Sequence, residues 1–304
     1  MFLIISGVIS SVCILAIILF GFKLSIEFTG GSKLELASQD NKKIDEAVIR
    51  NAYKKENVKI VTLHKNSESS YTVRTDTITD AKKNKILARF TETGVNVKEK
   101  SFDTLGPTIG GETRVNALKA VLIALVAITL YIAFAFRKVS KPVSSWKFGV
   151  SAIVALAHDV LIVLGTFSLA GAFLGVEVDT LFITAVLTIM GFSVHDTIVV
   201  FDRIRENLIR NVRNDSFDVI VNRSFNETLA RSLNTSLTVV LVLFALILFG
   251  GESIRWFIAA FLVGIITGTY SSIFIASAIL VEWYKADQRG FKISNLLKRK
   301  TKKK

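Results

Sequence analysis

Long apolar runs alternate with polar stretches along the chain, and most of the runs are of bilayer length. Six stand out, at about 2–22, 115–136, 148–174, 180–201, 233–249 and 256–281. A helix rises about 1.5 Å per residue and the hydrocarbon core is about 30 Å thick, so runs of about 18 residues or more are read as transmembrane helices. Between the first two runs the period changes. Lys33 to Ala37 alternates as a strand, and Asn41 to Glu56 carries Ile44, Ala47 and Val48 at helical spacing behind an acidic start. Val58 to Lys65 and Tyr71 to Asp76 alternate again; Thr79 to Glu92 reads as a helix opening at Thr79 or Asp80 and stopped by Gly94; Val95 to Phe102 is a last strand. These patterns predict the order βαββαβ.

The fold class predicted is therefore a membrane all-α six-helix bundle with a small α+β ferredoxin-like (βαββαβ) extracytoplasmic domain. Its divisions are a first transmembrane helix at 1–22, the soluble domain with its junctions at 23–112, helices two to six with their loops at 113–284, and a basic tail at 285–304. Two glycine-rich junctions flank the soluble domain, with Gly30 and Gly31 on entry and Gly106, Pro107, Gly110 and Gly111 on exit. They suit a hinge; ordinary turn chemistry explains them as well. The first run lacks a basic leader and reads as a retained anchor.

Composition supports the membrane reading, since 51% of the 304 residues are hydrophobic. The net charge of +13 alone would suggest nucleic acid, but its distribution does not. Four Lys/Arg lie between Arg137 and Lys147, a loop that also holds Pro142; six lie between Arg203 and Arg231, and nine from Lys285 onward. The short loops at 175–179 and 250–255 carry only Arg255. This is the positive-inside pattern, which puts both termini in the cytoplasm and directs the basic excess at anionic lipids, with no nucleic-acid partner expected. The tail is expected to be unstructured. Cys13 is the one cysteine and reads as an inert buried thiol.

Against this apolar background a few ionisable residues stand out. Gly191 to Asn207, reading GFSVHDTIVVFDRIREN, sets His195 and Asp196 inside the fourth run, roughly 10 Å of helix before Arg203. An ionisable side chain at the centre of a membrane helix costs at least about 2.5–3.5 kcal/mol, which marks it as a candidate proton or ion carrier. His158 and Asp159 lie near the middle of the third run, open to a structural hydrogen-bonding role or to proton carriage. The fourth run follows the third after five residues, so the two are antiparallel and the acidic groups come within reach of one another. Arg231 enters the fifth run. It either snorkels to lipid phosphates or pairs with Asp196 and holds it ionised. Phe217, Ile220, Val221, Phe225 and Leu229 mark one face of a helix expected to lie along the cytoplasmic surface before that run. Gly264 and Gly268 have GxxxG spacing, which allows close helix approach within the chain or to a second subunit.

Missing motifs narrow the function further. There is no GxxxxGK[ST] phosphate loop, no metal-ligand spacing and no Ser/His/Asp order in the soluble domain, so neither enzymatic activity, a cofactor nor a metal is expected. Work must draw on an ion gradient or on a partner.

GFSVHDTIVVFDRIREN, ALAHDV (155–160), FTGG (28–31), LGPTIGGE (105–112) and RSLNTSLT (231–238) together resemble, in order, the motifs of the SecF family of the bacterial Sec protein-export machinery, within the resistance-nodulation-division superfamily. The resemblance implies an inner-membrane accessory subunit that pairs with SecD and uses the proton gradient, or sodium in some members, to help polypeptide emerging from the SecYEG channel. YajC is implied as a companion and unfolded preprotein as the extracytoplasmic client. It places the membrane carboxylate on Asp196 and the essential basic residue on Arg231, with Asp159 in the same cluster. His195 departs from the asparagine common there, and either relays protons or donates a hydrogen bond. The rivals are a stand-alone exporter of small molecules or lipids and a passive translocon scaffold.

Overall fold

A computed structural model of the chain describes residues 2–40, 43–137, 143–210 and 215–301, with side chains to 289. Pro142, most of its basic loop and the final lysines lie outside the described residues. In chain order the elements are α1 (Phe2–Phe20), α2 (Ile26–Thr29), β1 (Gly31–Ser38), α3 (Glu46–Lys55), β2 (Ile60–Ser67), β3 (Ser70–Thr75), α4 (Asp80–Glu92), β4 (Val97–Leu105), α5 (Pro107–Ala135), α6 (Ser145–Leu174), α7 (Thr180–Ile209), α8 (Phe217–Phe249), α9 (Arg255–Tyr270) and α10 (Ser277–Thr301). A 3₁₀ turn at Glu252–Ile254 precedes α9, and a π-helical segment at Ser271–Ala276 joins α9 to α10. The chain divides into two compact units, Lys23–Ala120 with Glu177–Thr180 and the remainder, the boundary falling inside α5.

The first unit is a four-stranded antiparallel sheet in the order β2-β3-β1-β4. Leu34 on β1 stands opposite Val73 on β3 and Phe102 on β4. Alternation sends Leu34, Leu36, Tyr71 and Val73 to one face, where α3 and α4 cover them with Ile49, Tyr53, Ile86 and Phe90. Asp45 caps α3 by accepting from the Ala47 N–H at 3.0 Å. Burial pushes the Tyr53 phenol above its ordinary pKa, so it packs as a neutral aromatic. The two glycine-rich junctions meet each other. Gly30 has φ +71°, and a Cβ there would lie 2.7 Å from Pro107 Cα, while one on Gly110 would lie 2.5 Å from the Gly30 nitrogen. Glycine is required at these two positions because one backbone crosses another. Gly106 and Gly111 have ordinary φ and open space around them.

The second unit is helical, and six helices in the chain are long and apolar enough to cross a membrane. The chain is thus a multi-pass membrane protein. The spans anticipated from the sequence are all present, but α5, α7, α8 and the last span run well beyond their apolar cores. The surface helix expected at 217–229 is not separate: α8 continues unbroken from Phe217 to Phe249. No glycine or proline interrupts it, and Glu227 is paired with Arg203 of α7 at 2.6 Å, so the polar turns need not leave the helix. The tail, expected to be unstructured, is helical to Thr301; its leucine and lysine content favours helix.

α6, α7 and the last span are the most buried, while α1, α5 and α8 turn apolar side chains such as Ile4, Leu130 and Leu241 outward. A Cβ on Gly165 would overlap Cys13, so that glycine lets α1 lie close to α6 and buries the lone thiol. Gly264 and Gly268 pack within the chain, against Ile189 and Ser193 of α7.

Candidate functional site: a polar network between the buried helices

Four helices converge on the polar side chains of α6 and α7. Asp159 on α6 is fully buried, at 0% exposure. Its Oδ1 lies 3.0 Å from His158 Nδ1, and its Oδ2 accepts from the hydroxyls of Ser193 and Ser271, each at 2.6 Å. Ser271 opens the π-helical segment, and the wider turn presents neighbouring serines to different helices. Ser271 reaches Asp159. Ser272 is 2.8 Å from the Thr197 hydroxyl and donates to the Ser193 carbonyl at 3.1 Å. A Cβ on Gly268 would press on the Ser193 Cβ at 3.3 Å and lie at ordinary contact distance, 3.6 Å, from Asp159 Oδ2, so this glycine lets the sixth span lie close to α7 beside the carboxylate.

Asp196 lies one turn further along α7 and has different company. It is 8% exposed. Its Oδ1 accepts from the Ser232 hydroxyl of α8 at 2.7 Å, while its Oδ2 has no hydrogen-bond partner among the described residues. Of the two readings of Arg231, the ion pair with Asp196 is not formed in this structure: Ser232 bonds the carboxylate, and Arg231, its chain neighbour, is exposed. Neighbouring helix positions point about 100° apart, and here it is Ser232 that faces the acid. Arg231 instead lines a cavity of about 320 Å³ with Asp202, Arg203, Glu206 and Glu227. Those carboxylates are already paired, Glu227 and Glu206 with Arg203 and Asp202 with Arg205. Among the described residues Arg231 makes no ion pair.

His195 is exposed and makes no hydrogen bond to Asp196 or to any other described residue. His158 is 8% exposed, and its Nε2 has no partner among the described residues. Asp159 and Asp196 are not bonded to each other; α7 connects them through Ser193 and the turn that follows. Ser193, Ser232 and Thr197 escaped the sequence reading because serine and threonine inside a membrane helix are common. Ser271 and Ser272 follow the GxxxG pair, and nothing in the sequence links them to a carboxylate. No group of three or more His, Cys, Asp or Glu among the described residues is placed to hold a metal. What the arrangement can do is hold one carboxylate firmly and another by a single bond.

Comparison with known proteins gives this geometry a context. Residues 85–286 match the family described as protein export membrane protein SecD/SecF, C-terminal. The chain is 43% identical over 285 residues to the protein translocase subunit SecF of Thermobaculum terrenum, covering 89% of this chain and 87% of that one. To the protein translocase subunit SecDF of Thermus thermophilus it is 39% identical over 270 residues, 86% of this chain but 35% of that longer protein. The crystal structure of Thermus SecDF, described as a translocon-associated membrane protein, superposes with a TM-score of 0.77 at 36% identity, over 92% of this chain and 37% of that one.

Proposed function

Because the chain belongs to the SecD/SecF family of protein export membrane proteins, we propose that it is a SecF-type accessory subunit of the Sec translocase that converts the proton gradient into protein export. The observation that carries this reading is Asp196, a buried carboxylate with one oxygen bonded to Ser232 and the other bare. Ionised, it leaves a charged oxygen without a donor, which is costly in a low-dielectric interior and draws Arg231 from the adjoining cavity. Protonated, it no longer attracts a cation, and α7 and α8 are free to repack. A carboxylate whose preferred neighbour depends on its proton converts protonation into helix movement.

Other features support the wider reading. A SecD partner is supported by the fused SecDF relative, in which the region matching this chain is only 35% of the whole. The outward apolar side chains of α5 offer a membrane surface for that partner. SecYEG, YajC, unfolded preprotein and anionic lipids complete the set of partners, and the basic segments support cytoplasmic termini in the bacterial inner membrane. We assign the sheet unit to the ferredoxin-like fold on the strength of its connection order and strand order.

The test is Asp196→Asn, which keeps the shape and can still accept from Ser232 but cannot ionise. The gradient-stimulated part of export, measured with and without an uncoupler, falls at least tenfold while the chain stays assembled in the membrane. Export that still responds fully to the gradient refutes the reading.

A further inference from the structure

Between α6 and α7, which together carry Asp159 and Asp196, Gly175 and Val176 stay with α6, whereas Glu177–Thr180 group with the sheet unit. Val178 forms a parallel bridge with Leu24: its N–H donates to the Lys23 carbonyl at 2.7 Å, and its carbonyl accepts from Ser25 at 2.9 Å. Arg74 of β3 fixes the same place. Its guanidinium donates to the Leu24 carbonyl at 2.6 Å, to Glu177 Oε1 at 3.3 Å and to the Thr29 hydroxyl. Glu27 then accepts from the Thr180 N–H at 2.6 Å, so a carboxylate from the entry segment sits at the positive end of α7. Three kinds of contact, a backbone bridge, an arginine hub and a carboxylate at the Thr180 N–H, thus hold Glu177–Thr180 to the sheet within one unit.

The glycine-rich junctions are poor candidates for the same task. Gly30 and Gly110 are glycines because one backbone presses on another, and that crossing restricts the rotation a pivot needs. We propose that movement of α7 reaches the soluble unit through residues 175–180, with Arg74 as the positioning residue that holds this segment to the sheet, while the glycine junctions serve as a close-packed crossing. Arginine suits the role, since its planar fork bonds several acceptors at fixed angles, which a lysine could not reproduce. This rests on the proton-coupled reading above.

The test uses the full chain in inverted membrane vesicles with its translocase partners, following both gradient-stimulated export and proton uptake by a pH-sensitive dye. Arg74→Ala is expected to cut gradient-stimulated export at least fivefold while proton uptake and gradient-independent export persist, the signature of uncoupling. Bridged strand neighbours lie about 5 Å apart, within disulfide reach. Leu24→Cys with Val178→Cys in the Arg74→Ala chain should therefore restore stimulation to within twofold when oxidised and lose it again on reduction. Because the comparison is made within one polypeptide, a folding defect cannot mimic it. Glu177→Gln, which spares the bonds of Arg74 to Leu24 and Thr29, should cost about twofold. Full stimulation in Arg74→Ala or in Glu177→Gln, or no recovery on oxidation, overturns the proposal. Asp196→Asn run alongside separates the two claims: if it abolishes stimulation while Arg74→Ala does not, the linkage fails and proton coupling stands; if it has no effect, proton coupling itself fails.

Discussion

Asp159 and Asp196 are both aspartates on buried faces of neighbouring helices, yet their surroundings differ in kind. Asp159 is met by His158, Ser193 and Ser271, so each of its oxygens has a donor or ring nitrogen beside it. Asp196 has Ser232 on one oxygen and, among the described residues, no hydrogen-bond partner on the other. A buried carboxylate bonded at both oxygens rigidifies the helices it joins, and removing it takes an acceptor from each hydroxyl that donates to it. A carboxylate held by one bond can change partners at little cost. On the proposed reading, the Asp159 network is the firm joint that α7 makes with α6 and the π-helical segment, and the contact of α7 with α8 is the one that a proton can loosen.

The largest expected effect breaks the first side of the comparison. Asp159→Ala strips partners from His158, Ser193 and Ser271, at about 1–3 kcal/mol for each orphaned group, and should lower the thermal unfolding temperature in detergent far more than Asp196→Ala does. Equal losses would erase the distinction. Gly268→Val adds bulk where a Cβ already stands 3.3 Å from the Ser193 Cβ, and overpacking costs about 1–3 kcal/mol. It should destabilise the chain through the same frame, read by the same unfolding measurement. Ser232→Ala removes the single bond of Asp196 and should cost about 1 kcal/mol of stability. Its stronger mark should be on export, because the acid then has no fixed neighbour when protonated; an unchanged dependence of export on pH would remove Ser232 from the switch. His195→Asn should change stability by less than about 0.5 kcal/mol, as for an exposed side chain that makes no hydrogen bond among the described residues. Should it abolish gradient-stimulated export, the relay role that the sequence left open would be supported after all.

Much of this was legible before any coordinates. The spans follow from apolar run length, and the two aspartates stand out because ionisable groups are rare in such runs. The partners of those aspartates were hidden, since Ser193 and Ser232 look like any serine in a membrane helix. Opposite charge offered a pairing of Asp196 with Arg231 beside the snorkelling alternative, while the structure turns Ser232 toward the acid. The polar turns around Glu227 and Arg231 made α8 look like two helices; the cross-helix bonds of Arg203 and Asn207 to Glu227 supply what solvent would otherwise have to. The π-helical segment has no sequence signature in SSIFIA, and it sets which serine faces which acid. In the soluble unit alternation and caps gave the elements, with strand ends off by one to three residues, as is usual for boundaries. Arg74 carried no signal at all, because an arginine on a strand becomes a hub only when the fold brings Leu24, Thr29 and Glu177 to it.

Whether the loosely held acid is the one that gains and loses a proton can be asked directly. Infrared difference spectra of the carboxyl stretch, recorded on the membrane-embedded chain as the pH is lowered, should show a protonation band that vanishes in Asp196→Asn and shifts in Ser232→Ala. A band that survives Asp196→Asn unchanged would contradict the account.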